Sequence, residues 1–210
     1  MTDFNAMKDA LVACDAEKLT GLVNNALGGG TPAGDILNNG LIAGMDIVGE
    51  RMESGEMFIP EVLMAAKVMG SCVDILKPLL GEDASTTGAT VVIGTVKGDL
   101  HDIGKNLVAM MMESAGMDVH NIGVDISPED FVSRIRETNA RIVCLSALLT
   151  TTMPMMKETI DAIVESGVRD RVKILVGGAP VTQAFADEIG ADGFAADAGA
   201  ASKLAKSFVN

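Results

Sequence analysis

The spacing of apolar side chains changes near residue 80, which divides the chain into two parts. Before that point apolar residues recur every three or four positions, as is typical of amphipathic helices. Four such stripes are predicted, and they comprise Phe4, Met7, Leu11 and Cys14; Leu19, Leu22, Val23, Ala26 and Leu27; Leu37, Leu41, Met45, Val48 and Met52; and Met64, Val68, Cys72, Ile75 and Leu79. We therefore predict a four-helix bundle over residues 1–84.

Beyond residue 89, short β-branched runs alternate with helical stretches. The predicted strands are Thr90–Thr95, Asp118–Ile122, Arg141–Leu145, Val172–Val176 and Gly193–Ala195. The predicted helices are Ile103–Ala115, Pro128–Thr138, Met153–Ser166, Val181–Ile189 and Ala198–Phe208. This order predicts an α/β domain over residues 90–210, with a doubly wound, Rossmann-like parallel sheet of five strands. Small polar residues fill Gly81–Ala89, where we place a linker over residues 85–89 and a hinge.

Composition excludes several classes of function. The 210 residues carry a net charge of −13, and Trp and Tyr are absent, so a nucleic-acid binder is disfavoured. The longest apolar runs fall short of the ~18 residues that a membrane helix needs, and the N-terminus does not resemble a signal peptide. We therefore expect a cytoplasmic protein that binds neither nucleic acid nor membrane. Cys14, Cys72 and Cys144 are far apart and are expected to be buried and reduced.

In a doubly wound sheet, ligands bind beyond the carboxyl ends of the strands. There the first loop holds His101, with Asp99 two residues before it and Asp102 directly after. An Asp that accepts one ring N–H fixes the tautomer, which suits a metal ligand or a general base, whereas a helix cap is the alternative. Hydroxyls at Ser146 and Thr150–Thr152 either grip a ligand or cap the next helix.

Other motifs are missing from these loops. The sequence contains neither a GxxxxGK[ST] phosphate loop nor a GxGxxG after the first strand. Two histidines without a cysteine cluster cannot form the usual zinc site unless carboxylates supply the remaining ligands. A metal held by its own macrocycle, in contrast, needs one protein ligand. His120, the second histidine, is expected to lie on the surface.

Three sequence elements together resemble the signature of cobalamin-binding domains. Asp99–Gly104 matches D-x-H-x-x-G, Ser146–Leu148 matches S-x-L, and Gly177–Gly178 is the final glycine pair. The elements occur in family order, separated by 41 and 28 residues. The Met-rich bundle before them, with Phe58–Ala66, resembles the cap of methionine synthase and of stand-alone corrinoid proteins in methyltransferase systems.

The resemblance implies a role for each matched residue. His101 would be the lower cobalt ligand of base-off cobalamin, Asp99 would hydrogen-bond to His101, and Ser146 would extend the polar contact. Gly104, Leu148, Gly177 and Gly178 would line the slot for the nucleotide tail. Further contacts to the cofactor are expected from Leu100, Asp102, Ile103, Thr150 and Ala179. From the cap, Leu63 and Met64 are candidates to face cobalt, with a core position as the alternative.

The implied function is that of a methyl carrier without a complete active site of its own. A substrate-specific methyltransferase would load a methyl group onto cobalt(I), and a second would transfer it to tetrahydrofolate or a thiol. A reductive activase would restore oxidised cobalt. The alternatives are a cobalamin-dependent sensor without methyl transfer, a mutase small subunit, and a flavodoxin-like interaction domain without a cofactor.

Overall fold

A computed structural model describes residues 2–80 and 89–209 of the chain. The predicted linker over residues 85–89 lies outside these ranges apart from Ala89. Backbone contacts divide the described residues into two compact units. The first unit contains residues 2–80 with Ser114–Gly116, and the second contains the remainder of residues 89–209.

The first unit is the predicted four-helix bundle. Its helices are α1 (Phe4–Val12), α2 (Ala16–Gly28), α3 (Ala33–Asp35), which continues through a π-helical segment (Ile36–Ile42) into α4 (Ala43–Glu53), and α5 (Ile59–Leu76), which a 3₁₀ turn (Lys77–Leu79) follows. Helix α1 packs against α2 and α4, and α5 packs against the same two helices. Asp3 and Asp15 cap α1 and α2 by accepting backbone N–H bonds.

The buried face of α5 differs from the predicted stripe. The side chains that face the core are Val62, Ala65, Ala66, Met69, Cys72 and Leu76. Met64 is 56% exposed and Leu79 is exposed, so the predicted stripe through these two residues is wrong. Apolar residues occur on most of the surface of α5, and periodicity alone therefore does not select the buried stripe.

Cys14 also departs from its predicted place. Helix α1 ends at Val12, and Cys14 follows in a left-handed conformation with a φ of 54°. Its side chain is only partly buried, whereas Cys72 and Cys144 are buried as expected. All three cysteines are free.

The second unit confirms the predicted parallel sheet. Its strands are β1 (Thr90–Thr95), β2 (Asp118–Asn121), β3 (Ile142–Ser146), β4 (Lys173–Gly177) and β5 (Gly193–Phe194), in the order β2-β1-β3-β4-β5. Its helices are α6 (Ile103–Ser114), α7 (Pro128–Thr138), α8 (Met153–Glu165), α9 (Gln183–Ile189) and α10 (Ala198–Ser207). Observed and predicted boundaries agree to within one or two residues, because each strand is a short apolar run between turn residues.

Strand register brings the signature residues to one edge of this sheet. Thr95 pairs with Ser146, and Ser146 pairs with Gly177, so three strands end side by side. Strand β2 lies on one side of β1, and β3 lies on the other side. The strand order therefore reverses between β1 and β3, and the carboxyl ends of these two strands form the topological switch point. Within residues 2–80 and 89–209, no helix has the length and apolar character needed to cross a membrane.

Candidate cofactor-binding site

The centre of the site is the carboxylate of Asp99, which is completely buried in the loop after β1. Its Oδ1 lies 2.7 Å from the ring Nδ1 of His101 and accepts the His101 backbone N–H at 3.1 Å. Its Oδ2 accepts a hydrogen bond from the Thr152 hydroxyl at 2.7 Å. The backbone N–H groups of Leu148 and Leu149 also donate to Oδ2, at 2.8 and 3.2 Å. Five donors therefore compensate for the burial of one negative charge.

These contacts keep Asp99 ionised. Burial by itself would raise the pKa of this carboxyl group, because it disfavours the charged form. Hydrogen bonds from Thr152, His101 and Leu148 outweigh burial and hold the pKa of Asp99 well below its ordinary value. An ionised carboxylate can only accept hydrogen bonds, so the Nδ1 atom of His101 carries the proton that it shares with Asp99.

The ring of His101 is oriented for coordination through its other nitrogen. The side chain is 50% exposed, while its partner Asp99 is buried. The Thr95 hydroxyl, at the end of β1, donates to the His101 carbonyl at 2.8 Å and fixes the backbone. With Nδ1 engaged, Nε2 is the nitrogen that remains to bind a metal, and the ionised Asp99 strengthens it as a donor.

Exposed apolar side chains belong to the two loops that carry and contact the Asp99–His101 pair. Leu100 is 71% exposed and Ile103 is 77% exposed, and both lie beside His101 in sequence. Leu148 and Leu149, which bind Asp99 through their backbone, also expose their side chains. Exposed apolar residues in loops that also present a metal-binding nitrogen are suited to binding a large, largely apolar molecule.

The glycines of the signature have two different roles in the structure. Gly178 has a φ of 132°, and a Cβ there would come within 1.9 Å of the Ala147 carbonyl oxygen, so the backbone itself requires glycine. At Gly177 a Cβ would lie 3.2 Å from the Ala195 carbonyl oxygen. A Cβ at Gly104 would meet no heavy atom within 4 Å. Gly104 therefore borders open space in which a ligand can approach the backbone.

The contact between Thr152 and Asp99 is the feature of the site that the sequence did not predict. Thr152 occupies the position before α8, but its side chain makes no capping hydrogen bond and binds Asp99 instead. The capping interpretation of this threonine is therefore wrong. Thr150 is exposed and makes no side-chain hydrogen bond among the described residues. The Ser146 hydroxyl is half-buried at the end of β3 and likewise contacts no polar partner there.

The remaining predicted residues lie at the edges of the site or in the bundle. Asp102 accepts a hydrogen bond from Asn106 at 3.1 Å, and Ala179 is exposed after the glycine pair. In the first unit, Leu63 is 40% exposed and Met64 is also on the surface, so a core position is wrong for both. His120 lies partly exposed on β2, 3.3 Å from Asp118.

A buried lysine connects the start of α6 with the end of β2. The ammonium of Lys105 donates to Asn106 Oδ1 at 2.7 Å and to Asn121 Oδ1 at 2.6 Å. Its side chain is buried, and burial lowers its pKa although Asp102 opposes the shift. This network anchors the helix that follows His101. Its only sequence signal is a lysine directly after Gly104.

Comparisons with known proteins identify the ligand class. A family model described as a B12 binding domain matches residues 89–203. A second model with the same description matches residues 4–77. This chain belongs to the B12-binding family of corrinoid proteins.

Known corrinoid and cobalamin-binding proteins match this chain along nearly its whole length. The dimethylamine corrinoid protein of Methanosarcina barkeri is 45% identical over 201 residues, covering 95% of this chain and 94% of the relative. A crystal structure of a cobalamin-binding protein from Desulfitobacterium hafniense DCB-2 is 33% identical, covers 100% of both chains and has a TM-score of 0.88. The methanol:cobalamin methyltransferase complex of Methanosarcina barkeri is 27% identical, with a TM-score of 0.84 over 98% of this chain and 79% of that chain.

The residues present fit cobalamin, which is the cofactor of this corrinoid protein. A corrin ring supplies four nitrogens of its own to cobalt, so one protein nitrogen would suffice to hold the metal, and the Nε2 atom of His101 would be available for it. The ring faces are large and apolar, which matches exposed Leu100 and Ile103. The open space at Gly104 admits a chain of atoms close to the backbone.

Proposed function

We propose that this chain is a corrinoid methyl carrier that works between two methyltransferases, with cobalamin bound base-off and the Nε2 atom of His101 as lower ligand. The observation that carries the proposal is the pairing of buried, ionised Asp99 with half-exposed His101. A histidine that served only as a helix cap would not need a buried carboxylate on its ring. As a carrier, the chain would depend on partner enzymes for both transfer reactions.

Cobalamin supplies a cobalt atom that accepts a methyl group and later releases it. The protein has to support two ligation states of that atom, and the Asp99–His101 pair is suited to this task. Asp99 keeps the proton on Nδ1, so the lone pair of Nε2 is available to a metal. If the pair takes up a proton, the imidazole donates less strongly, and the lower ligand is weakened.

Other residues would hold and shield the cofactor. Gly104, Leu148, Gly177 and Gly178 would line the slot for the nucleotide tail, with Ser146 as a polar contact. Leu100, Asp102, Ile103, Thr150 and Ala179 would complete the contacts from the second unit. In the bundle, exposed Leu63 and Met64 are apolar and would shield the reactive side of cobalt from water.

Partners follow from the carrier role. A substrate-specific methyltransferase would load the methyl group, and a second one would transfer it to tetrahydrofolate or a thiol. A reductive activase would return oxidised cobalt to the cycle. Because a close relative is a dimethylamine corrinoid protein, dimethylamine is the first donor to test, followed by methanol.

The ligation proposal is tested with the full chain loaded with hydroxocobalamin and reduced to cobalt(II). Electron paramagnetic resonance resolves the nuclear spin of the axial nitrogen. Protein labelled with ¹⁵N-histidine should change the axial splitting from three lines to two, and His101→Ala should abolish this change. His120→Ala is the matched control and should behave like the parent. Splitting that ignores the label would show that the cofactor keeps its own base and would overturn the proposal.

The carrier role is tested by turnover. Reduced, loaded protein is mixed with a dimethylamine or methanol methyltransferase, and the visible spectrum is followed for methylation of cobalt. Methylation that depends on both donor and enzyme supports the carrier. A protein that binds cobalamin through His101 yet accepts no methyl group from any methyltransferase encoded beside it would be a sensor instead.

A further inference from the structure

The loop after β2 contains an aspartate in an unusual backbone conformation. Asp125 has a φ of 57°, and among the described residues only Cys14 and Asn139 are other non-glycine residues with positive φ. Asn139 has an ordinary reason, because it is the left-handed C-cap of α7. Asp125 ends no helix, so its conformation calls for another explanation. A left-handed residue costs roughly 1 kcal/mol, and Asp and Asn tolerate it best.

Asp125 makes two hydrogen bonds to the loop that carries Asp99 and His101. We call these two residues the cobalt-ligand pair, because the proposed function makes His101 the lower ligand of cobalt. Its Oδ1 accepts the backbone N–H of Gly98 at 2.7 Å. Its own backbone N–H donates to the carbonyl oxygen of Asp99 at 3.0 Å. The two bonds lie on either side of the peptide group that joins Gly98 to Asp99. In its left-handed conformation, Asp125 presents both groups to this segment.

The two bonds hold the backbone from which the Asp99 side chain extends. Gly98 is itself left-handed, with a φ of 81°, and the turn around it is closed by the Asp99 N–H, which donates to the Val96 carbonyl oxygen at 3.2 Å. The Asp99 carboxylate has to meet donors that approach from His101 and from the loop before α8. Functional groups of this kind require placement to within about 0.5 Å.

The same β2 loop also holds the backbone of His101 indirectly. Ile126 donates its N–H to the Thr95 carbonyl at 3.0 Å, and Thr95 donates its N–H to Gly123 at 3.0 Å. The hydroxyl of Thr95 in turn binds the His101 carbonyl. Residues before and after Asp125 are thus tied to β1, and Asp125 adds the contact nearest to Asp99.

We propose that Asp125 is a positioning residue for the cobalt-ligand pair: its grip on Gly98 and Asp99 holds the Asp99 carboxylate where it selects the Nδ1–H tautomer of His101. The inference rests on the proposed function only in that His101 is taken as the cobalt ligand. Asp125 makes no hydrogen bond to the imidazole among the described residues, and it acts through Asp99.

The test uses the full chain before and after loading with hydroxocobalamin. His120→Gln leaves His101 as the sole histidine, and ¹⁵N NMR of the unloaded protein then reports its tautomer directly. In this background Asp125→Gly keeps the left-handed backbone accessible but removes the acceptor. Asp125→Asn keeps both the conformation and an oxygen acceptor. Asn139→Gly is the matched control, because it replaces another left-handed residue, the C-cap of α7, which makes no hydrogen bond to Gly98 or Asp99 in the structure.

Asp125→Gly should measurably raise the Nε2–H population, by at most about fivefold, the factor that applies if the Nδ1–H form alone loses the free energy of one typical hydrogen bond. Asp125→Asn and Asn139→Gly should retain the parent tautomer. An unchanged tautomer in Asp125→Gly would overturn the proposal, as would an equal shift in Asn139→Gly or in Asp125→Asn. Should Asp125→Gly fail to fold by circular dichroism, Asp125→Ser, whose side chain is shorter, takes its place with the same expected shift.

The loaded protein separates this inference from the proposed function. If the tautomer shifts but the parent shows no His101 ligation, the positioning role stands and the proposed function fails. If the parent shows His101 ligation and the Asp125→Gly tautomer is unchanged, the proposed function stands and the positioning role fails.

Discussion

Replacing Thr152 by valine tests the central feature of the site, the buried carboxylate. Valine matches threonine in shape but removes the hydroxyl that lies 2.7 Å from Asp99 Oδ2. Both residues are buried, so water does not readily substitute for the lost donor. Oδ2 keeps its hydrogen bonds from the backbone N–H groups of Leu148 and Leu149, which compensate only in part for the lost hydroxyl.

The expected loss of unfolding free energy for Thr152→Val at neutral pH is about 2 kcal/mol, within the range for a hydrogen bond to a charged group. The loss should depend on pH. Because the folded pKa of Asp99 is depressed, its contribution to stability is complete above the unfolded value of about 3.9 and declines as pH falls below it. Thr152→Val moves the folded pKa back toward its ordinary value, so the variant declines less steeply and the difference shrinks in strong acid.

Urea unfolding followed by far-UV circular dichroism measures both effects, since the chain contains no Trp or Tyr for fluorescence. Thr151→Val is the matched control, because Thr151 is exposed and its hydroxyl binds none of the described residues. A loss as large in Thr151→Val would refute the reasoning. A Thr152→Val loss that stays constant down to the lowest accessible pH would attribute the effect to packing and not to the carboxylate.

The glycines and cysteines provide further predictions. Gly178→Ala should destabilise the protein by more than ~3 kcal/mol in thermal unfolding, because both its φ and the approach to Ala147 exclude a Cβ. Gly104→Ala should preserve the stability of the unloaded protein, or raise it by up to ~1 kcal/mol, yet weaken hydroxocobalamin binding in equilibrium dialysis. Burial raises the pKa of Cys144 to about 12, so iodoacetamide at about pH 8 should modify Cys14 first and spare Cys144 in peptide mass spectrometry.

The sheet domain was predictable because each of its strands has a clear sequence signal. Each is a short apolar run bounded by turn residues, and parallel pairing then places the strand ends together. The sequence placed Ser146 and Gly177 directly after the third and fourth strands, and the structure makes them the last residues of β3 and β4, side by side with Thr95. The hydrogen bond between Asp99 and His101 is similarly local, because the two residues are separated by one position.

The bundle was less predictable in detail because several of its helices are apolar on more than one side. On α5 the chosen stripe contained Met64, whereas the core takes Ala65 and Ala66. Small residues at the interface bring helices close together, and their selection depends on the neighbouring helix. The π-helical segment is a comparable case. A Cβ at Gly40 would lie 2.9 Å from Met7 Sδ, so α1 approaches this segment at a distance that no single-helix pattern encodes.

Thr152 shows why the polar centre of the site could not be predicted. It lies 53 residues from Asp99 and is the third of three consecutive threonines, and only folding distinguishes the buried hydroxyl from its two exposed neighbours. A buried carboxylate costs several kcal/mol unless donors surround it. The loop from Leu148 to Thr152 therefore has to adopt a conformation that supplies three donors to Asp99, whether or not that conformation is the best for the loop itself. The conformation of this distant loop therefore depends on the carboxylate that orients the His101 imidazole. Local sequence patterns do not predict such long-range contacts.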